Sequence, residues 1–388
     1  VEVVDILYTK IHKFHLNDSI YIIAEIGQNH QGSINIAKQL ILEAKRVGCN
    51  CVKFQKSCLC AKFTRTALNR KYDGPHSWGL NYGEHKEYLE FSLEQYKELQ
   101  EFSNKQQIHF TASAMDEISL MQLQELNVPF IKIGSGDANN FPMLKKAAQM
   151  ECPLFISTGM QAMETIETIV EIMRRAHKTN YALLHCVSSY PTEPQDCMLQ
   201  LILLLKEKFP NVVVGYSGHE EGIDITKAAI LLGARIVERH FTLDKNQKGS
   251  DHKCSLTPNE FQKLVESVRG FEMNGLLKKV PLNIGYIKTY FNNSKEVELS
   301  LSPIDKKTIL PSEMKCRNKL GKSIVTTREL KSGHLLQKRD LCVKVSEPNG
   351  IPAENFDLLL GKELNYDLMK DSPNQVRIGQ LIRAEKLA

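Results

Sequence analysis

Two histidines, His219 and His240, are the residues of this 388-residue chain best placed by type and spacing to do chemistry. Each closes a short apolar run that reads as a buried strand: Val212-Val-Val-Gly-Tyr-Ser-Gly-His219 and Arg235-Ile-Val-Glu-Arg-His240. The stretch between them, 220–234, reads as a helix, so the two runs become consecutive strands of a parallel sheet. Neighbouring parallel strands bring their C-terminal ends side by side. Two imidazoles held there can share one divalent ion and leave other coordination positions open, which is the layout of a Lewis-acid site.

Polar side chains collect at the same ends of other strand-like runs: Glu25, Lys53, Gln55, Ser113, Lys132, Ser135, Ser157, Ser188, Ser217 and Glu238. Taken singly each has an ordinary reading. A serine at a strand end usually starts a turn, a strand histidine is usually a satisfied core residue, and a strand lysine can snorkel to the rim. The set is harder to dismiss, because unrelated accidents would not all fall at one end of the repeats. Lys53 and Lys132 say most, since a lysine inside an apolar strand needs an anionic partner. Two lysines with several hydroxyls suit a ligand that carries both a phosphate and a carboxylate.

The elements that must position these groups repeat regularly. Strand-like runs at 20–25, 51–55, 108–112, 130–133, 154–157 and 181–186, with the two histidine runs, make eight. Segments with apolar residues at helical spacing, such as 34–47, 93–105, 118–126 and 163–176, lie between them. Eight strand–helix repeats over roughly 250 residues predict a closed α/β barrel of the (β/α)₈ TIM type, whose active site lies at the C-terminal strand ends. No strand is followed by G-x-G-x-x-G, which argues against a dinucleotide site. We assign 1–275 to the barrel and 276–316 to a linker without a firm period. The stretch 279–305 reads as an inserted, disordered or poorly packed excursion. A compact, turn-rich module follows at 317–388, with strand candidates at 323–326 and 341–345.

Composition sets the class. Hydrophobic content of 42% and charge of 24% belong to a globular chain with a full core. A net charge of +5 is too weak and dispersed for nucleic acid, and no apolar run is long enough to span a bilayer. The ten cysteines fall irregularly, which predicts free thiols in a reducing, cytoplasmic setting.

Several stretches carry a resemblance: Ile23-Ala-Glu-Ile-Gly-Gln-Asn-His30, Lys132-Ile-Gly-Ser-Gly136, Ile156-Ser-Thr-Gly-Met160, His185-Cys-Val-Ser-Ser-Tyr-Pro191, Gly215-Tyr-Ser-Gly-His219 and Val237-Glu-Arg-His-Phe241. In order and nearly end to end, the chain resembles the sialic acid synthase family. Lys319-Leu-Gly-Lys-Ser-Ile-Val325 resembles the start of that family's C-terminal SAF (antifreeze-like, β-clip) domain. Residues 27–32, His76-Ser-Trp-Gly79, Tyr82-Gly-Glu-His-Lys86, Asn139-Asn-Phe-Pro142 and Gly249-Ser-Asp-His252 are similar to its animal branch. The resemblance implies condensation of phosphoenolpyruvate (PEP) with N-acetylmannosamine 6-phosphate to N-acetylneuraminate 9-phosphate. It implies Mn²⁺ or Mg²⁺ on His219 and His240, and PEP on Lys53, Ser113, Lys132, Ser135, Ser157, Ser188 and Ser217. Glu25, Gln55, Tyr190, Glu238 and Asp251 would face the sugar or the reacting centre, with Glu25 ahead of Glu238 for moving protons. It also implies a domain-swapped homodimer.

Two departures stand out. Ser188 replaces the asparagine usual in bacterial relatives, and Val345-Ser-Glu-Pro-Asn-Gly350 lacks their Arg-Pro-Gly. Lys62, Arg65 and Lys71 are candidates for the sugar phosphate. Mannose 6-phosphate or unphosphorylated N-acetylmannosamine as acceptor, and a non-catalytic scaffold with a carbohydrate-binding module, remain the rival readings.

Overall fold

The computed structural model describes residues 19–373, so the outer ends of the assigned 1–275 and 317–388 segments lie outside the described residues. Eight parallel strands close into a barrel in sequence order. They are β1 (Tyr21–Gly27), β2 (Cys51–Lys56), β3 (His109–Ala114), β4 (Ile131–Ile133), β5 (Leu154–Ser157), β6 (Tyr181–Cys186), β7 (Val213–Gly218) and β8 (Ile236–His240). Closure comes from β1 pairing with β8, with Glu25 opposite His240 and Ile23 opposite Glu238.

Strand alternation divides the side chains into two sets. One set, with Ile22, Ala24, Val52, Phe110, Ile131, Ile156, Leu183 and Val237, faces outward and joins the helices in the larger core. The other faces inward, and its lower positions are apolar: Tyr21, Ile23, Cys51, Phe130, Phe155, Ala182, Leu184 and Ile236 pack as a separate plug. Two residues further along each strand, the same inward face turns polar.

The covering helices start where the sequence provides caps. Ser33 accepts from Ile36 N at the start of Ile34–Arg46, whose buried face is Ala37, Leu40, Ile41 and Ala44. Ser92 with Gln95, and Thr257 with Glu260, form capping boxes ahead of Leu93–Lys105 and Pro258–Met273. The β2 connection adds three short helices, Leu59–Lys62, Arg65–Asn69 and Tyr82–Leu89. No helix among the described residues is long and apolar enough to cross a membrane.

The segment after the barrel corrects the expectation of a disordered or poorly packed excursion. It holds helices Ile284–Tyr290, Lys295–Ser300 and Met314–Leu320. Leu277, Ile287, Phe291, Val297 and Leu301 are buried in the larger core. Backbone bonds from Leu282 N to Leu231 O (2.9 Å) and from Leu199 N to Ser300 O (2.8 Å) tie it to the barrel. Its apolar residues come in pairs one turn apart, 287/291 and 297/301, on helices too short to establish a period in the sequence.

Strands β9 (Lys322–Thr326) and β10 (Leu341–Val345) pair antiparallel. They pack with Leu330, Leu336, Ile351, Phe356, Leu359, Leu364 and Leu368 into a small core of their own. The module rests on the C-terminal mouth of the barrel. Thr64 N bonds to Val345 O at 2.9 Å, Lys322 pairs with Asp137 at 2.9 Å, and Lys145 with Asp357 at 2.5 Å.

If the post-barrel helices are part of the core, Ile287→Ala should destabilise the protein by about 2–5 kcal/mol, the usual cost of such a cavity. Tyr286→Ala, one residue away and exposed, should stay within about 0.5 kcal/mol. Urea or thermal melts of the two variants check this, and equal, small effects would show a loosely attached segment.

Candidate active site

The inward polar layer holds most of the residues singled out in the sequence. Register sets them side by side: Glu25 opposite Lys53, Gln55 opposite Ser113, Ser113 opposite Lys132, and Ser217 opposite Glu238. Lys53 Nζ lies 2.5 Å from Glu25 Oε2, 2.9 Å from Ser113 Oγ and 3.6 Å from Glu238 Oε1. Glu238 Oε1 also meets Lys132 Nζ at 3.2 Å and accepts from Ser217 Oγ at 3.0 Å. Gln55 Nε2 donates to Glu25 Oε1 at 2.9 Å. All but Gln55 are buried.

Burial and neighbours drive the two carboxylates apart. Burial pushes Glu238 up, but Lys132 and Lys53 overcome it and hold the carboxyl down to about 2. For Glu25, burial outweighs Lys53, and the charge of Glu238 adds to it, so its pKa lies above the ordinary carboxylate value. One pair of acids in one pocket thus offers a fixed anion and a titrating group.

The hydroxyls form the next part of the ring. Ser157 Oγ and Ser188 Oγ are buried without a hydrogen-bond partner among the described residues, as is Glu238 Oε2. Gly159 lies between Ser135 and Ser188, and a Cβ there would collide with both hydroxyls and approach Cys186 Sγ. The glycine keeps a concave, donor-lined patch open, which is what an anionic oxygen cluster needs.

His219 and His240 do come together, with ring centroids 5.4 Å apart. His219 Nδ1 donates to Val187 O at 2.8 Å, which fixes its tautomer and leaves Nε2 with a lone pair. His240 Nδ1 is buried and has no hydrogen-bond partner among the described residues, and burial drives its pKa down to about 3, which favours the neutral ring. No third His, Cys, Asp or Glu joins them in a metal-binding group among the described residues. Tyr190 lies over the pair, 4.1 Å from the His219 ring and 6.0 Å from that of His240. Asp251 lies within electrostatic reach of His240 and of Lys86 and Lys319. Behind the strands, Arg239 Nη1 pairs with Glu220 at 2.9 Å and Tyr216 Oη donates to it at 2.8 Å, bracing the loop that carries His219.

Three features escaped the sequence reading. Cys186 sits in the polar layer within hydrogen-bond reach of His219 and Ser135. Glu313, fully buried, comes from the segment read as linker. Its Oε1 accepts from Met160 N (2.7 Å) and Ser188 N (2.9 Å), and its Oε2 accepts from Leu310 N (3.1 Å). It therefore pins both loops that flank the hydroxyl patch, with buried Lys307 beside it. No spacing rule links residues 125 and more positions apart. The third concerns the basic loop: Lys71 is exposed and paired with Asp73 at 2.9 Å, and Arg65 is exposed, but Lys62 is buried.

Comparison with known proteins finds relatives along nearly the whole chain. The NeuB family profile matches residues 40–275 and the SAF domain profile residues 321–373. The chain is 60% identical over 358 residues to N-acetylneuraminate-9-phosphate synthase of Drosophila melanogaster, covering 92% of this chain and 95% of that one. It is 46% identical over 352 residues to the Homo sapiens protein of the same name, covering 90% of each. Among solved structures, the spore coat polysaccharide biosynthesis protein SpsE of Bacillus subtilis superposes with a TM-score of 0.73 at 26% identity, over 92% and 94% of the two chains. The N-acetylneuraminic acid synthetase of Leptospira borgpetersenii gives 0.60 at 33%, over 72% of this chain and 93% of that one. With a barrel, a C-terminal module and a relative this similar along nearly its whole length, the chain belongs to the NeuB family.

Proposed function

We propose that this chain condenses PEP with N-acetylmannosamine 6-phosphate, giving N-acetylneuraminate 9-phosphate and inorganic phosphate. The observation that carries the reading is the buried ring of Lys53, Lys132, Glu25, Glu238 and serine hydroxyls beside two adjacent histidines, in a chain 60% identical to a synthase of that name. A scaffold would gain nothing from keeping two lysines in a barrel interior, where each needs a compensating anion.

In this reading Lys53 and Lys132 neutralise the carboxylate and phosphate of PEP, and Ser113, Ser135, Ser157, Ser188 and Ser217 donate to its oxygens. Tyr190, Gln55 and Asp251 line the acceptor side. The PEP methylene carbon attacks the sugar aldehyde carbon, forming the new C–C bond and leaving a cation-like centre at the former PEP C2. Water adds at C2, and one of its protons passes to Glu25 while the aldehyde oxygen, now an alkoxide, takes up a proton from solvent that Glu25 later replaces. The tetrahedral centre collapses to the ketone as its C–O bond to phosphate breaks, and its hydroxyl proton leaves with the phosphate. Glu238 stays ionised throughout and holds both lysines in place. The Nδ1 of His240, unpartnered among the described residues, and the His219 ring, which has Cys186 beside it, fit one Mn²⁺ or Mg²⁺, which when bound would supply Lewis-acid polarisation of the aldehyde.

The ten cysteines, all thiols in this structure, support a cytoplasmic location. A homodimer with exchanged SAF modules is the assembly we favour, because an exchanged module can make the same Lys322–Asp137 and Thr64–Val345 contacts on a partner.

Phosphate release from PEP, followed with N-acetylmannosamine 6-phosphate, N-acetylmannosamine and mannose 6-phosphate, tests the reaction. Turnover should be fastest with the first, stop with EDTA and return with Mn²⁺; silence with all three from folded protein would leave only the scaffold reading. Glu25→Gln should lower kcat by about 10²–10⁴-fold. It should also remove the acidic limb of the pH–rate profile, which in the parent protein rises with pH through a pKa above the usual ~4.3. An unchanged profile would pass the proton role to another group. Light scattering should give twice the 44.1 kDa chain mass, and a monomer would refute the exchanged dimer.

A further inference from the structure

Most buried lysines among the described residues have a compensating partner: Lys53 pairs with Glu25, Lys56 with Glu90 (2.7 Å), Lys132 with Glu238 and Lys322 with Asp137, while Lys178 donates to the Met150 and Cys152 carbonyls and Lys307 lies beside Glu313. Above the barrel mouth the pattern breaks. Lys62 is 5% exposed, and its ammonium has Met115 Sδ at 2.8 Å as its hydrogen-bond partner. Lys86 donates to the neutral Gln28 Oε1 at 2.6 Å. Lys319 stands over the rings of Tyr72 and Tyr82, at 5.2 and 5.5 Å. Among the described residues none of the three forms an ion pair. Beside them, Arg70 Nη2 and Tyr82 Oη are buried without hydrogen-bond partners among the described residues, while Arg70 Nη1 lies 3.5 Å from the half-exposed Glu347 carboxylate.

These groups come from separate elements: Lys62 from Leu59–Lys62, Lys86 and Tyr82 from Tyr82–Leu89, and Lys319 from the helix that leads into the SAF module. Tyr82 joins them: Lys86 lies over its ring at 5.5 Å and the Arg70 guanidinium at 3.9 Å, and Lys62 lies over Phe63, whose ring is 5.5 Å from that of Tyr82. Burial, helped by Lys86 and Lys322 and opposed by Asp137 and Glu90, lowers Lys62 to about 7. Burial likewise lowers Lys86 to about 8, with Lys319 and Arg70 opposing Asp251 and Glu90. Lys86 and Lys319 are half-buried, and like charges gathered around a buried lysine are costly unless an anion joins them. The charges of PEP are already met by Lys53, Lys132 and the serines. Asp251, which senses both His240 and the pair Lys86 and Lys319, links this cluster to the histidine end of the site.

We propose that Lys62, Lys86 and Lys319, with Arg70 Nη2 and Tyr82 Oη, form a phosphate subsite for the 6-phosphate of the acceptor sugar. The assignment rests on the reaction proposed above. Lysines suit this task as mobile point charges that adjust to a dianion, and two free hydrogen-bond donors stand ready to orient its oxygens. Of the basic-loop residues considered from sequence, this keeps Lys62 and sets aside Arg65 and Lys71.

Calorimetric titration with one ligand at a time tests it without turnover, because neither substrate reacts alone. The parent protein should bind N-acetylmannosamine 6-phosphate at least about tenfold more tightly than N-acetylmannosamine, the worth of one charge-assisted contact. Lys62→Met and Lys86→Met should each shrink that ratio, and together bring it near one, with the Kd for PEP unchanged. Lys62→Met keeps the volume and removes an unpaired buried charge, so it should melt no lower than the parent and decides the matter if Lys86→Met does not fold. A parent that does not discriminate, a ratio that survives both substitutions, or an equal loss of PEP binding would overturn the subsite. If discrimination behaves as expected but no acceptor yields phosphate from PEP, the subsite stands and the reaction falls. If turnover favours the phosphorylated sugar while the variants bind it as the parent does, the reverse holds.

Discussion

A lysine ammonium inside a β-barrel has lost its water and must be repaid by fixed charge. Removing such an ion from water costs several kcal/mol even after relaxation, and a buried partner offsets this only with close geometry and further hydrogen bonds. Lys53 meets these terms through Glu25, Glu238 and Ser113, and Lys132 through Glu238. Each contact requires two strands to keep their register, and the Glu25–His240 pairing that closes the barrel is set in the same way. The polar ring thus constrains the shear of the sheet as well as its ligand. A chain that slid by one residue would turn this ring toward the helices and the apolar outer face toward the interior.

The same alternation explains how one scaffold carries a plug and a pocket on a single face. Tyr21, Ile23, Cys51, Phe130, Phe155 and Ile236 fill the lower interior. One inward step higher, Glu25, Lys53, Lys132, Ser157 and Glu238 replace them. The apolar layer below removes solvent from one side of the ring, which strengthens its electrostatics and separates the pKa values of Glu25 and Glu238.

Much of this was legible in the sequence, because barrel strands are local objects. The runs at 154–157 and 181–186 fall on β5 and β6 to the residue, and the other six differ by one or two positions at their ends. The paired histidines and the polar strand ends followed from the expected topology. What was not legible depends on contacts with no local signature. Glu313 acts on backbone groups of Met160 and Ser188, far away in sequence. Ile287 and Phe291 are buried by the barrel they pack on rather than by a period of their own. The unpaired state of Lys62 shows only once its surroundings are in place.

Glu313 has a wider meaning for how this chain is divided. Its carboxylate takes up backbone N–H groups on the loops after β5 and β6 that border the hydroxyl patch, and Arg317 Nη1 bonds to Met160 O at 3.1 Å. The sheet is closed well before residue 275, but both its outer core and the wall of the hydroxyl patch are completed by residues beyond that point. The segment leading to the SAF module is wall as well as tether, so recombination that swapped barrels between relatives would have to carry residues up to about 320 with them. In this chain the boundary that evolution can cut lies well beyond the boundary at which the sheet closes.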